Sequence, residues 1–333
     1  MCAQPARLCE VWRGPIAESV HLGHIAVAGP DGAVEAAWGD PEAMILPRSS
    51  AKMIQALPLV ASGAAEAHGL TDRHLALACA SHQGAALHVE AVGAWLEALG
   101  LGDAALRCGP QPSRDKALRH EMLCAGTAPG QVHNNCSGKH AGFLTLNAQL
   151  GGSPEYHEPD HPVQAAAREA FELVTDRVSP GYGIDGCSAP NHATTMGAMA
   201  RAMSWFATAE RREDTLSRAA ARLTRAMIAH PELVAGEGRA CTLLMRAAKE
   251  PVALKTGAEG YFVAILPARG KGIAVKALDG ATRAAECAVA AVLARMDVLD
   301  TAHPDVARFL TPEITNWRGV KTGAIRPAAP LAV

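Results

Sequence analysis

The chain has 333 residues, 49% hydrophobic and 19% charged, which is ample material for a folded core. A net charge of -2 and only 4% aromatic residues exclude a bulk field or a stacking surface for nucleic acid. No stretch approaches the roughly 20 apolar residues of a membrane span, so no membrane partner is expected.

The start of the chain lacks a basic segment followed by an apolar run, and so does not read as a signal peptide. The nine cysteines are odd in number, scattered and without paired spacing. Together these features indicate reduced thiols and a cytoplasmic location. Length alone allows two domains or one large one. No repeat or linker interrupts the chain, so a single catalytic unit over residues 1–333 is expected.

"VHLGHIAVAGPDGAVEAAWGD" predicts two strands around a Pro-Asp-Gly turn. "AKMIQALPLVASGAAEAHGL" predicts one buried helix, and "HVEAVGAWLEALGL" a helix that ends on glycine. Residues 105–135 are rich in turn formers and resist assignment. "HPVQAAAREAFELV", "HATTMGAMARAMSWFATAE" and "REDTLSRAAARLTRAMIAH" predict three more helices. "PVALKTG", "GYFVAILPA" and "GIAVKALDG" then predict an antiparallel meander, closed by the helix "ATRAAECAVAAVLARM". The fold class is therefore α/β. Its sheet is drawn from residues 1–45 and 250–300, and residues 46–249 are mostly helical.

The stretch "ILPRSSAKMIQALPLV" sets a polar knot between apolar flanks. Ser49 and Lys52 are three apart and share a helix face. A serine hydroxyl needs a base to become a nucleophile. A lysine, with a reference pKa of about 10.4, serves only if its surroundings make it neutral, and burial and the neighbouring Arg48 both act that way. The plainer reading is a helix N-cap. Ser-x-x-Lys should arise about 0.3 times by chance in this composition, and it occurs again at Ser113 and Lys116. That second copy is polar throughout, so Ser113 is read as an N-cap and Lys116 as solvated.

Ser81, His82, Gln83 and Gly84 follow an apolar run, as at an element end facing a cleft or in an ordinary capped loop. Lys255 opens a Lys-Thr-Gly sequence in the meander, whereas a second copy at Lys321 falls in the C-terminal tail. Ser-x-x-Lys, Ser-x-Asn and Lys-Thr-Gly in order are the signature of serine β-lactamases and penicillin-binding proteins. Here Ser-His-Gln stands in the middle place. In "VHNNCSGKHAGF" and "GIDGCSAPNH", the thiolates of Cys136 and Cys187 with a third polar group could bind zinc, lysine being a rare ligand; the plainer readings are two buried thiols or a disulfide, which a reducing compartment disfavours.

Taken together, "PRSSAK", "ASHQG", "HNNCSGKHAGF", "GIDGCSAPNHA" and "KTGAEG" resemble, in order, the Rhizobium etli-type L-asparaginases, also called class 3 or the asparaginase II family. The resemblance extends to "NWRGVKTGAIRP" near the C-terminus. It implies a serine β-lactamase-like fold, a homodimer, and hydrolysis of L-asparagine to L-aspartate and ammonia. It implies two Ser-Lys tandems, Ser49 with Lys52 and Ser81 with Lys255, with Ser49 the nucleophile. It also implies one Zn2+ held by Cys136, Lys139 and Cys187, with Asp185 orienting Lys139. Arg48 is assigned to the substrate α-carboxylate by charge and adjacency, and His82, Gly84 and Asn134 are placed beside the substrate. The chain departs from the family in carrying Ala85 where a glutamate is common; Ala51, before Lys52, is neutral. Other readings are a β-lactam or other amide hydrolase, a zinc hydrolase, or an amino-acid sensor without catalysis.

Overall fold

The computed structural model describes residues 4–333. The chain forms two compact units. One takes residues 4–50, Thr194–Thr208 and Gly238–Val333. The other takes Ala51–Ala193 and Ala209–Glu237.

The first unit is built on an eight-stranded sheet. Its strands are β1 (Ala6–Arg13), β2 (Ile16–Ala28), β3 (Val34–Trp38), β4 (Ala253–Thr256), β5 (Tyr261–Leu266), β6 (Lys271–Ala277), β7 (Glu313–Thr315) and β8 (Lys321–Pro327). Their order is β7-β8-β1-β2-β6-β5-β4, and all pairs are antiparallel. β3 pairs with the second half of β2, from Ile25 to Ala28, where β1 has already left that edge. Every residue of β5 is buried, so the middle of the sheet is covered on both faces. The helices Met196–Ala207 and Thr282–Arg295 provide cover. Gly272 of β6 lets the first of these approach closely, because a Cβ there would overlap Ala200 O and Ser204 N.

The fold is thus α/β, with an antiparallel sheet drawn from both ends of the chain, as the sequence indicates. The predicted meander and the Pro-Asp-Gly hairpin are both present. The sheet also takes in a segment read as tail, since Lys321 opens β8, which pairs with β1.

The second unit is mainly helical. The single helix expected over residues 51–70 is instead three short turns, Lys52–Gln55, Leu57–Ala61 and Ala64–Ala67. Pro58 in the first turn of the second piece cannot continue a helix, and Gly63 at φ +82 ends it. The helix Ser137–Leu150 is buried on every side from Ser137 to Leu146. Gly138 permits that, because a Cβ there would overlap the Leu77 carbonyl. The unassigned region holds a helix, Lys116–Cys124. Its N-cap is Asp115, whose carboxylate accepts from Leu118 N at 2.9 Å. Ser113 is therefore not the cap. It is buried and donates to Gly84 O at 2.9 Å, while Lys116 is exposed as expected. Among the described residues, no helix is long and apolar enough to cross a membrane.

Candidate active site

In the sheet unit, Ser49 sits half-buried in a 3-10 turn, Arg48–Ala51, which runs directly into the helix Lys52–Gln55. Ser49 and Lys52 therefore lie on one continuous helical run, three positions apart. Arg48 has φ +53, a conformation that non-glycine residues hold only where the surroundings enforce it. The neighbouring Ser50 shows how. Its N–H donates to Pro47 O at 3.1 Å, and its hydroxyl donates to Lys255 O at 3.2 Å. A Cβ on Gly257 would come within 2.8 Å of both Pro47 O and Ser50 Oγ, so the Lys-Thr-Gly end of β4 packs directly on the turn that carries Ser49. Lys255 is fully buried and donates to Thr256 O at 2.7 Å. Thr256 N–H donates to Cys241 Sγ at 3.3 Å, which fixes the strand end from behind. Lys276 on β6 lies in the same region. Burial pulls its pKa down, the Arg48 charge adds to that, and Glu259 and Asp279 oppose it.

In the helical unit, Lys52 is 1% exposed. Its Nζ lies 2.5 Å from Ala80 O, 3.0 Å from Ser81 Oγ and 3.1 Å from Cys136 Sγ, with Asn135 O at 3.5 Å. Ser81 is held by its own N–H, which donates to Val234 O at 2.9 Å. His82 is fully buried, with Nδ1 accepting from Gly84 N at 3.1 Å and Nε2 3.0 Å from Ser137 Oγ. Gly84 has φ +66, and a Cβ there would lie 2.6 Å from His133 O. Asn134 is also buried, with Nδ2 2.9 Å from both Cys108 O and Gly109 O and Oδ1 accepting from Cys136 N at 2.9 Å. These bonds make His82 and Asn134 braces of the loops that present Ser81 and Cys136. Ala85 begins the turn into the helix Ala86–Ala98 as its N-cap residue, without a side-chain cap.

Cys136, Lys139 and Cys187 come together in the same unit. Lys139 donates to Cys187 Sγ at 3.0 Å, and all three side chains are buried. Cys187 lies in the turn between the strands Tyr182–Ile184 and Pro190–His192. Ser188 after it has φ +70, and Ser188 N–H donates to Asp185 O at 2.9 Å, so Asp185 shapes this turn. A hydrogen bond from Cys136 holds the Cys187 thiol well below its ordinary pKa, against burial and with help from Lys139. The same bond, with burial, pushes Cys136 up. Burial works against the Lys139 charge, but the Cys187 and Cys136 sulfurs and Asp185 outweigh it and raise its pKa. Burial pushes His140 down to about 4 and keeps it neutral. The cluster without metal is thus a thiol held low, a second thiol and a lysine held charged; once Lys139 and Cys136 lose their protons to an incoming metal, it would be a soft N/S donor set of the kind zinc takes. Among the described residues, no group of three His, Cys, Asp or Glu side chains is placed to hold a metal ion.

The structure therefore joins Lys52 to Ser81 in one unit, and the Ser49 turn to Lys255 in the other. Ser81 and Lys255 belong to different units. Sequence reasoning missed Ser50 and Cys241 as supports of Lys255. The repeated serine in "RSSAK" was the available hint for the first; no signal in the sequence marks the second.

The family model for L-asparaginase II matches residues 9–327, and the chain belongs to that family. No curated protein matches it. Among solved structures it is similar to Mglu in its tris and glutamate form, at 16% identity and a TM-score of 0.47 over 90% of this chain. The chain spans 64% of the length of that structure. It is also similar to a Bacillus glutaminase, at 13% identity and a TM-score of 0.44, covering 83% of this chain and 91% of the other. A β-lactamase from Mycobacterium bovis gives 13% identity and a TM-score of 0.36, covering 83% and 95%.

Proposed function

We propose that the chain is an amidohydrolase that converts L-asparagine to L-aspartate and ammonia. Family membership across residues 9–327 supports the reaction class. The observation that carries the mechanism is the buried Lys52, on the same helical run as Ser49 and 3.0 Å from Ser81 Oγ. In this reading Lys52, in its neutral amine form, takes the proton of Ser49 on its lone pair, and the Ser49 oxygen attacks the side-chain amide carbon. Backbone N–H groups at the helical start stabilise the oxyanion. The amide C–N bond breaks, and the proton reaches the leaving ammonia through Lys52 and the Ser81 hydroxyl, with Lys255 assisting. Water then cleaves the β-aspartyl ester and restores Ser49. Arg48 binds the α-carboxylate. Cys136, Lys139 and Cys187 would hold a zinc ion, which supplies a fixed positive charge that supports substrate binding. A homodimer in the cytoplasm belongs to the same proposal, and sedimentation velocity tests its oligomeric part.

A second reading makes Ser81 the nucleophile, favoured by its direct hydrogen bond to Lys52. Ammonia release by wild type, Ser49→Ala and Ser81→Ala, each with L-asparagine and L-glutamine, separates the two. The first reading expects turnover to vanish in Ser49→Ala and to fall by about 10²–10⁴ in Ser81→Ala. A trapped acyl-enzyme located on the Ser81 peptide by mass spectrometry would overturn it in favour of the second. Wild type that releases ammonia from neither amide removes the function itself.

A further inference from the structure

The helix Thr215–Ala229 carries Arg218, Arg222 and Arg225 at positions i, i+4 and i+7, which share one face. With Arg212, just before the helix, they line a cavity of about 640 Å³ within the helical unit. The carboxylates that line it are Glu66 and Glu210, so four cations face two anions in a chain whose net charge is -2. Both carboxylates are exposed, at 78% and 66%, and stand 3.7 Å from Arg222 and 3.4 Å from Arg225. Such surface pairs contribute little and give way to a stronger anion.

The guanidiniums are anchored. Arg222 donates to Leu70 O at 2.8 Å, Arg218 to Thr215 Oγ1 at 3.2 Å and Arg212 to Ser217 Oγ at 2.8 Å. Each has five N–H donors in a planar fork, so Arg218, Arg222 and Arg225 all keep donors for a ligand. Like charges one turn apart repel, and Arg212 is half-buried, with its pKa pulled down by burial and Asp214 opposing. An anion in the cavity would offset both costs. The volume falls in the range of small-molecule sites and far exceeds one phosphate. No aromatic side chain lines it, so a stacked base is not what it recognises.

We propose that this cavity binds a small molecule through two or more linked phosphate groups. None of its residues serves the amide reaction, so the inference stands apart from that reading.

Inorganic tripolyphosphate is the probe, titrated calorimetrically into the full chain at low and at high salt. The expected result is saturable binding at one site per chain that weakens with salt. The double variant Arg218→Gln/Arg225→Gln should bind about tenfold or more weakly, with its far-UV circular dichroism unchanged. Orthophosphate should bind more weakly than tripolyphosphate. Absence of saturable binding to wild type at low salt overturns the site without recourse to any variant. Undiminished affinity in the folded double variant places the anion elsewhere and overturns it too. Equal affinity for orthophosphate removes the linked-phosphate class.

Discussion

The segment from Ser81 into the first turn of the helix Ala86–Ala98 has little freedom, and its residues show where that comes from. His82 and His88 stack with ring centroids 4.7 Å apart, and Gly84 turns the chain in a conformation that a Cβ would strain. Gly84→Ala should therefore cost about 1–3 kcal/mol, read by urea unfolding; a change under about 0.5 kcal/mol would mean that the His133 carbonyl simply moves away. His88 gives a pH prediction. Its Nε2 lies 3.0 Å from Glu232 O, and burial lowers its pKa despite the opposing backbone bonds to Glu232 and Ala85 and the charges of Glu232 and Asp115. The unfolded chain therefore takes up this proton more readily than the folded one. The stability tied to a neutral His88 is complete above the unfolded value near 6.5 and is lost as pH falls through the lower folded value. Stability measured from pH 7 downwards should fall more steeply in wild type than in His88→Gln. Parallel curves would dismiss the idea.

At the scale of elements, small residues set how closely helices and strands approach. Gly272 on β6 lies against the backbone of the helix Met196–Ala207, and Gly272→Ala should destabilise by about 1–3 kcal/mol or more through overpacking. Gly93, inside the helix Ala86–Ala98, has nothing within 4 Å of a built Cβ. Gly93→Ala should stabilise by about 0.5–1 kcal/mol, since only helix propensity changes. Equal effects at the two sites, measured by denaturant midpoints, would contradict the packing argument. The same contrast explains which elements were legible. β4, β5 and β6 are apolar runs between glycine-rich turns and were readable as strands. The helix Ser137–Leu150 was not, because burial on every side removes the polar face that reveals a surface helix. The segment 51–70 misled because its apolar spacing continues through Pro58 and Gly63, where the backbone does not.

For the whole molecule, the zinc proposal makes a claim about stability. A metal that binds only the folded chain raises the unfolding midpoint by mass action. Elemental analysis should find about one zinc per chain, and chelation should lower the thermal midpoint, with recovery on adding zinc back. A metal-free protein whose midpoint ignores added zinc would dismiss the site. If the proposed zinc binds, Cys187, whose thiol is held low, would ease that binding at neutral pH.

The sequence by itself determined the α/β class, the gathering of both chain ends into one sheet, and the Ser49-Lys52 spacing. Those follow from local periodicity, turn residues and the pitch of one helical turn. Only the tertiary structure decided that Lys52 meets Ser81, 29 residues away, and that Ser50 clamps Lys255, 205 residues away. Packing in three dimensions also turned His82 and Asn134 into braces and gave Arg48 its strained backbone. Spacing along a chain constrains neighbours within a turn or two, but contacts between distant loops depend on how buried elements pack, and no short motif records that.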